Sequence, residues 1–163
     1  MQRSEAIEIQ APIDKVWSVA ANQFDEIGVW ASMVSHSKAL PLDGASPASE
    51  LGYAGRVCAT KQGETVEKIV AFDANSHTFT YEITGDAMPG FVKRATNTWQ
   101  VTPIDGARSQ LTMTVNMETG GFVGALMSPM MAMGMGKVLR TNLEEIKHFI
   151  ETGQQHARKK KAA

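Results

Sequence analysis

Cysteine is almost missing from this chain: Cys58 is the only one in 163 residues. A lone thiol excludes an internal disulfide and fits a reducing cytoplasmic setting. No stretch has the length and apolarity of a membrane span, and Met1-Gln2-Arg3-Ser4-Glu5 leads into an alternating segment, not an apolar signal core. The expectation is a soluble protein without membrane insertion. Neither sign of charge dominates, with 16 Lys and Arg against 17 Asp and Glu, so nothing points to a nucleic-acid partner. Catalytic signatures are also scarce. There is no Ser-His-Asp spacing, no metal-ligand cluster and no phosphate loop; Lys61-Gln62-Gly63-Glu64 lacks the flanking glycines of a P-loop. The histidines are scattered, and His77, His148 and His156 are expected at the surface. No metal and no cofactor is expected.

What the chain does have is alternation. Ala6 to Gln10 reads as a first strand with Ile7 and Ile9 on one face, and Val34 to Leu42 as another. Pro12 suits the first turn of a short helix carrying Val16, Trp17 and Ala20, and a second short helix covers Phe24 to Trp30. The later strands are Gly55 to Lys61, Glu64 to Asp73, Thr78 to Thr84, Val92 to Thr102 and Ser109 to Glu118. Their regular alternation predicts an antiparallel sheet with one covered and one wet face. A helix of roughly Gly121 to Thr152 follows, with Gly153 as its C-cap. Its apolar stripe is Met135, Val138, Leu139, Leu143, Ile146, Phe149 and Ile150; Lys137, Arg140, Glu144, Glu145, Lys147 and Glu151 are assigned to the opposite side. The fold class is α+β: a curved antiparallel sheet around one long C-terminal helix, with two short helices after the first strand. One domain covers residues 1–153. Residues 154–163, with the basic run Arg158-Lys159-Lys160-Lys161, are expected to be a disordered, solvated tail.

Pairing these strands isolates Glu67. A short loop at Ala74-Asn75-Ser76 sets Ala71 opposite Phe79, Ile69 opposite Tyr81 and Glu67 opposite Ile83, so a carboxylate falls among apolar side chains. It either forms a structural ion pair or has a job there, since an unpartnered buried charge is costly. A two-residue turn at Gln62-Gly63 sets Cys58 opposite Glu67 and Thr60 opposite Thr65, which brings Arg56 and Cys58 onto the same face. Asn97 and Trp99 share one face of their strand, and Asn142 falls near the middle of the helix's apolar stripe. Such convergent polar groups in an apolar enclosure suit a small-molecule pocket. If Glu67 only balances polarity there, Glu67→Gln is expected to leave stability equal or higher.

The helix's first half is peculiar. Met127, Met130, Met131, Met133 and Met135 crowd into it, interrupted by Gly124, Pro129, Gly134 and Gly136. Two readings stand side by side: a loosely packed helix, or a compliant lid over a cavity, with Met131 and Met135 as lining residues.

The order of elements, with Ala11-Pro12-Ile13-Asp14-Lys15-Val16-Trp17, Glu67-Lys68-Ile69-Val70-Ala71-Phe72-Asp73 and Asn142-Leu143-Glu144-Glu145-Ile146-Lys147, resembles the START-like, or helix-grip, superfamily (SRPBCC). The nearest branch in likeness is the bacterial polyketide cyclase/dehydratase-like group, with a more distant similarity to plant abscisic-acid receptors. The resemblance implies a cavity lined by Glu67 and Asn142, and it adds Ser35, which matches the receptors' second-strand lysine. The receptors' gate and latch motifs are missing: Ala59-Thr60-Lys61-Gln62-Gly63 and Met88-Pro89-Gly90-Phe91 stand in their places. Hormone sensing of that kind is not implied.

Three functions follow from these residues. The first is a carrier or sensor of a hydrophobic small molecule, lipid or polyketide-like. The second is a polyketide cyclase/dehydratase-type enzyme with Glu67 as general acid or base. The third is a domain with a vestigial cavity whose surface binds a protein. A monomer or homodimer is compatible with all three.

Overall fold

The alternating segments pair into seven antiparallel strands in the order β1-β7-β6-β5-β4-β3-β2. The computed structural model describes residues 1–86 and 88–162, and side chains for all of these except residues 123–125, 127 and 128. The strands are β1 (Gln2–Ile9), β2 (Val34–Leu40), β3 (Gly55–Thr60), β4 (Gly63–Asp73), β5 (Thr78–Gly85), β6 (Val92–Pro103) and β7 (Ser109–Thr119). Between β1 and β2 lie α1 (Ile13–Trp17), a π-helical turn (Ser18–Asn22) and a 3-10 segment (Phe24–Val29). The long helix α2 (Gly121–Thr152) follows β7. Its C-cap, Gly153, takes the left-handed φ of 69° that a side chain would resist. No described helix is long and apolar enough to cross a membrane.

One face of this sheet is dry. Ile69, Phe79, Tyr81, Ala95, Trp99, Val101, Leu111, Met113 and Val115 are buried, and they close on Leu139, Leu143, Ile146 and Ile150 of α2. Both sheet edges are protected, as edge strands need to be. On β1, Lys147 Nζ donates to Glu8 O at 2.7 Å, and Glu151 accepts from the Gln10 amide at 2.7 Å. On β2, Ser37 Oγ accepts from the Gly28 amide at 2.9 Å and donates to Asp25 O at 2.6 Å. That contact leaves no room for a side chain at Gly28. A Cβ there would lie 2.8 Å from Ser37 N. Gly28→Ala is therefore expected to cost about 1–3 kcal/mol through overpacking, read as a lower urea midpoint at unchanged m-value.

The structure departs from the sequence reading at three places, two of them in strand pairing. Glu67 opposes Ile83 and Ile69 opposes Tyr81, but a bulge at Val70 then shifts the register. Phe72, not Ala71, meets Phe79, so the bulge turns a small residue out and a phenylalanine in against Trp17. The β3–β4 turn falls at Lys61-Gln62, which places Cys58 opposite Thr65, Thr60 opposite Gly63 and Arg56 opposite Glu67. This offset is two residues, so each side chain keeps its face.

The third departure is the C-terminus. Ala157–Ala162 forms a short helix, α3, packed on the domain, in place of a solvated tail. Lys159 is buried and donates to Val34 O at 2.6 Å; Arg158 bonds Glu144 and Glu145. These partners come from distant segments and leave no trace in a basic run read alone. The three histidines expected at the surface, His77, His148 and His156, are half-buried, His77 against the Trp17 ring; His36 is exposed.

Candidate functional site

β3 and β4 place Arg56 directly across from Glu67 on the dry face, so the two longest polar side chains there meet. Arg56 is 1 % exposed. Its Nε and Nη2 both reach Glu67 Oε2, at 2.6 and 2.5 Å, and its Nη1 donates to Phe24 O at 2.8 Å. The guanidinium lies 3.7 Å over the Phe24 ring, with Tyr81 and Trp99 farther out. A planar cation held by a carboxylate, a carbonyl and an aromatic face is compensated on every side.

β5 and β6 add a second polar pair. Asn97 opposes Tyr81, and Asn97 Nδ2 donates to the Tyr81 hydroxyl at 2.9 Å. Burial, followed by the nearby Glu67 charge, pushes the Tyr81 phenol well above the ordinary tyrosine range. It is therefore a neutral hydroxyl at any physiological pH. Asn97 Oδ1 and Asn142 Oδ1 are both buried without a hydrogen-bond partner among the described residues, as is Trp99 Nε1. Each such atom costs about 1–3 kcal/mol if nothing satisfies it.

These residues line a cavity of about 160 Å³ that is partly open to solvent. Arg56, Thr60, Thr65, Glu67, Tyr81, Ile83, Asn97 and Val115 line it from the sheet; Met135, Val138, Leu139 and Asn142 line it from α2; Ile27, Met33 and Val34 close the remaining side. The volume is close to that at which an apolar protein cavity accepts one benzene-sized ring.

Of the residues singled out in the sequence, Glu67, Arg56, Tyr81, Asn97, Asn142 and Met135 thus meet at one cavity. The other four lie elsewhere. Trp99 is buried in the adjoining cluster with Phe24, Trp30, Phe79 and Tyr81, and Cys58 is fully buried beside the cavity. Met131 packs half-buried against the core. Ser35 sits at a β-bulge of β2, exposed, with its Oγ donating to Ala59 O at 3.1 Å. The methionine lid is accordingly narrow: Met130 and Met133 face outward, and Met127 lies outside the described side chains.

Burial pushes the Cys58 thiol up to about 11, with Arg56 pulling the other way. At pH 8 only about a thousandth is thiolate. Iodoacetamide is expected to leave native Cys58 unmodified over hours and to label it fully in denaturant, as mass spectrometry would show.

Sequence reasoning missed Glu145, which it assigned to the wet side of α2. The carboxylate is fully buried, accepting from Ser32 N at 2.8 Å, Ser32 Oγ at 2.6 Å and Arg158 Nε at 2.9 Å. A signal was available. Three residues of helix advance about 300°, so Glu145 lies only about 60° from Asn142. Among the described residues no group of three or more His, Cys, Asp or Glu is placed to hold a metal ion.

Comparison with known proteins bears on the family and the fold. The family model described as "Polyketide cyclase / dehydrase and lipid transport" matches residues 2–151. A START superfamily protein from Mycobacterium smegmatis superposes with a TM-score of 0.72 at 11% identity, covering 94% of this chain and 99% of that one. The Zhui aromatase/cyclase from Streptomyces sp. R1128 does so at 0.65 and 12% identity, covering 96% and 99%. A Thalictrum norcoclaurine synthase in complex with a transition-state analogue gives 0.70 and 12%, covering 92% and 93%. At such identities these likenesses carry the fold alone. No curated protein matches the chain.

Proposed function

The chain belongs to the polyketide cyclase/dehydrase and lipid transport family, and from that premise we propose that it is a carrier or sensor that binds a small, neutral, hydrophobic molecule bearing at least one hydroxyl group. The observation behind this reading is the pair of partnerless amide oxygens, Asn97 Oδ1 and Asn142 Oδ1, on residues of one apolar cavity. A hydroxyl both donates and accepts, so it can serve an amide in either orientation. Arg56 already compensates Glu67, so a charged ligand gains little there, while Ile83, Val115, Val138 and Leu139 favour an apolar body. The cavity's size favours one ring over a fused or long-chain ligand. A reducing, cytoplasmic location accords with the buried thiol.

The acid–base enzyme reading is the weaker one. Both guanidinium contacts of Arg56 fall on Glu67 Oε2, which makes the carboxylate a structural partner before it is a proton carrier. Native mass spectrometry of the freshly purified protein tests for a retained ligand. A probe test is independent of its identity: 4-fluorophenol should bind at least tenfold more tightly than fluorobenzene, a difference of about 1.4 kcal/mol. Asn142→Leu should erase that preference while leaving stability equal or up by about 1–2 kcal/mol, because it removes an unpaired amide. Equal binding of the two probes to the wild type would overturn the hydroxyl requirement. Chemical conversion of a co-purified ligand by wild type alone would restore the enzyme reading.

A further inference from the structure

The segment from Val29 to Val34 forms one wall of the cavity, and the C-terminal residues hold it at two points directly and at a third through Glu145 of α2. Gln155 Nε2 donates to Val29 O at 2.7 Å. Arg158 Nε bonds Glu145 at 2.9 Å, and Glu145 in turn takes both the amide and the hydroxyl of Ser32. Lys159 Nζ donates to Val34 O at 2.6 Å. Two direct polar contacts to this segment, one of them buried, and a third relayed through Glu145 are more than a solvated tail would make. Lys159 is 6 % exposed and Glu145 wholly enclosed.

The same wall separates two spaces. Inside is the cavity, with Met33, Val34 and Thr60 on its lining. Outside is a groove of about 270 Å³ lined by Ser32, Met33, Ser35, Lys61, Lys159 and Ala162. Met33 is common to both, and it is 41 % exposed, an unbranched side chain with three rotatable bonds. That side chain therefore stands where groove and cavity meet. α3 contributes Lys159 and Ala162 to the outer rim, while Glu145 and Lys159 fix the backbone on either side of Met33.

We propose that Met33 is the gate through which a ligand reaches the cavity, and that Glu145, Arg158 and Lys159 are positioning residues that hold its frame. The inference rests on the binding reading above and adds the route and its control. Loss of the frame changes how fast a ligand enters and leaves, while the cavity itself keeps its walls of β4, β5, β6 and α2. Both rate constants therefore change together and their ratio is nearly kept.

The test uses the full chain, a truncation after Gly153, and the point variants Arg158→Ala and Met33→Ala. Exchange of 4-fluorophenol is followed by fluorine NMR line shape, and amide hydrogen exchange is measured in parallel. Truncation and Arg158→Ala should raise entry and exit rates about tenfold with Kd within about threefold, and should speed amide exchange in residues 31–35 but not in β6 or β7. Met33→Ala should raise the rates without altering amide exchange, which a purely structural role would not do. Faster amide exchange with unchanged ligand rates would make the C-terminal contacts a brace and overturn the gate. Unchanged amide exchange would overturn the frame. If wild type binds no probe, or if Asn142→Leu leaves its binding untouched, the cavity reading itself fails; if only the rates of the variants match wild type, this inference alone fails.

Discussion

Glu67→Gln is expected to lower the unfolding free energy by about 3 kcal/mol, and with it the melting temperature by about 6–12 °C. Its partner Arg56 is 1 % exposed and directs two of its donors at one Glu67 oxygen. Glutamine keeps an acceptor at that position but removes the compensating charge, so a guanidinium is left buried and unpaired. Breaking a buried pair from one side commonly costs about 3–5 kcal/mol, and the retained acceptor sets the lower figure. Arg56→Met should cost a similar amount by stranding the carboxylate and emptying the space over Phe24. The double variant Arg56→Met with Glu67→Leu should recover most of the loss, because neither charge remains to be compensated. Urea unfolding of the four proteins gives the coupling directly. A Glu67→Gln protein as stable as wild type would mean that the pair contributes nothing, and the site would have to be reread with Glu67 free.

This outcome reverses what the sequence alone suggests, and the reason lies in one turn. Read from Gln62-Gly63, the hairpin sets Cys58 against Glu67 and leaves Arg56 a diagonal neighbour. With the turn at Lys61-Gln62, Thr60 Oγ1 both donates to Gly63 O at 2.8 Å and accepts from the Gln62 amide at 3.2 Å, and Arg56 becomes the direct partner. A two-residue offset preserves sides but changes partners, so the alternation could say that Glu67 points inward without saying what it meets. The same limit applies at Val70. Alternation runs smoothly through Ile69, Ala71 and Asp73, and nothing in those residue types marks a bulge.

Elements defined by long periodic patterns were legible. α2 begins and ends at the expected residues, and Asn142 faces the cavity as its helical angle requires. Contacts made by residues far apart in sequence were not. Ser32 and Glu145 stand 113 positions apart, and Lys159 meets Val34 across 125. A run of lysines carries the composition of a solvated tail whether or not a carbonyl awaits one of them. Of the candidate site residues, those on strand faces and helix stripes came together, while Ser35, placed by similarity rather than by pattern, fell at a surface bulge.

Phe24→Ala should be as damaging as the loss of Glu67, or more so, at about 3–5 kcal/mol. Phe24 is 1 % exposed and lies on a 3-10 segment too short to hold its place without packing. Its ring stands edge-on to Phe79 at 5.3 Å and to Trp99 at 6.4 Å, tilts against Tyr81 at 4.9 Å, and carries the Arg56 guanidinium on its face. Truncation removes the transfer energy of the ring, leaves a cavity among three aromatic groups, and takes away the platform of a buried cation. Its backbone carbonyl, which accepts from Arg56 Nη1, remains in either variant. Phe24→Leu therefore separates the terms. It restores most of the volume but no π face, so it should cost about 1–2 kcal/mol, with the remainder of the alanine loss assigned to the void. In a background of Arg56→Met, the leucine and phenylalanine proteins should differ by less than they do with Arg56 present, by about the 0.5–2 kcal/mol of a cation over an aromatic face. Equal Phe-to-Leu differences in both backgrounds would show that the ring serves Arg56 only as filler.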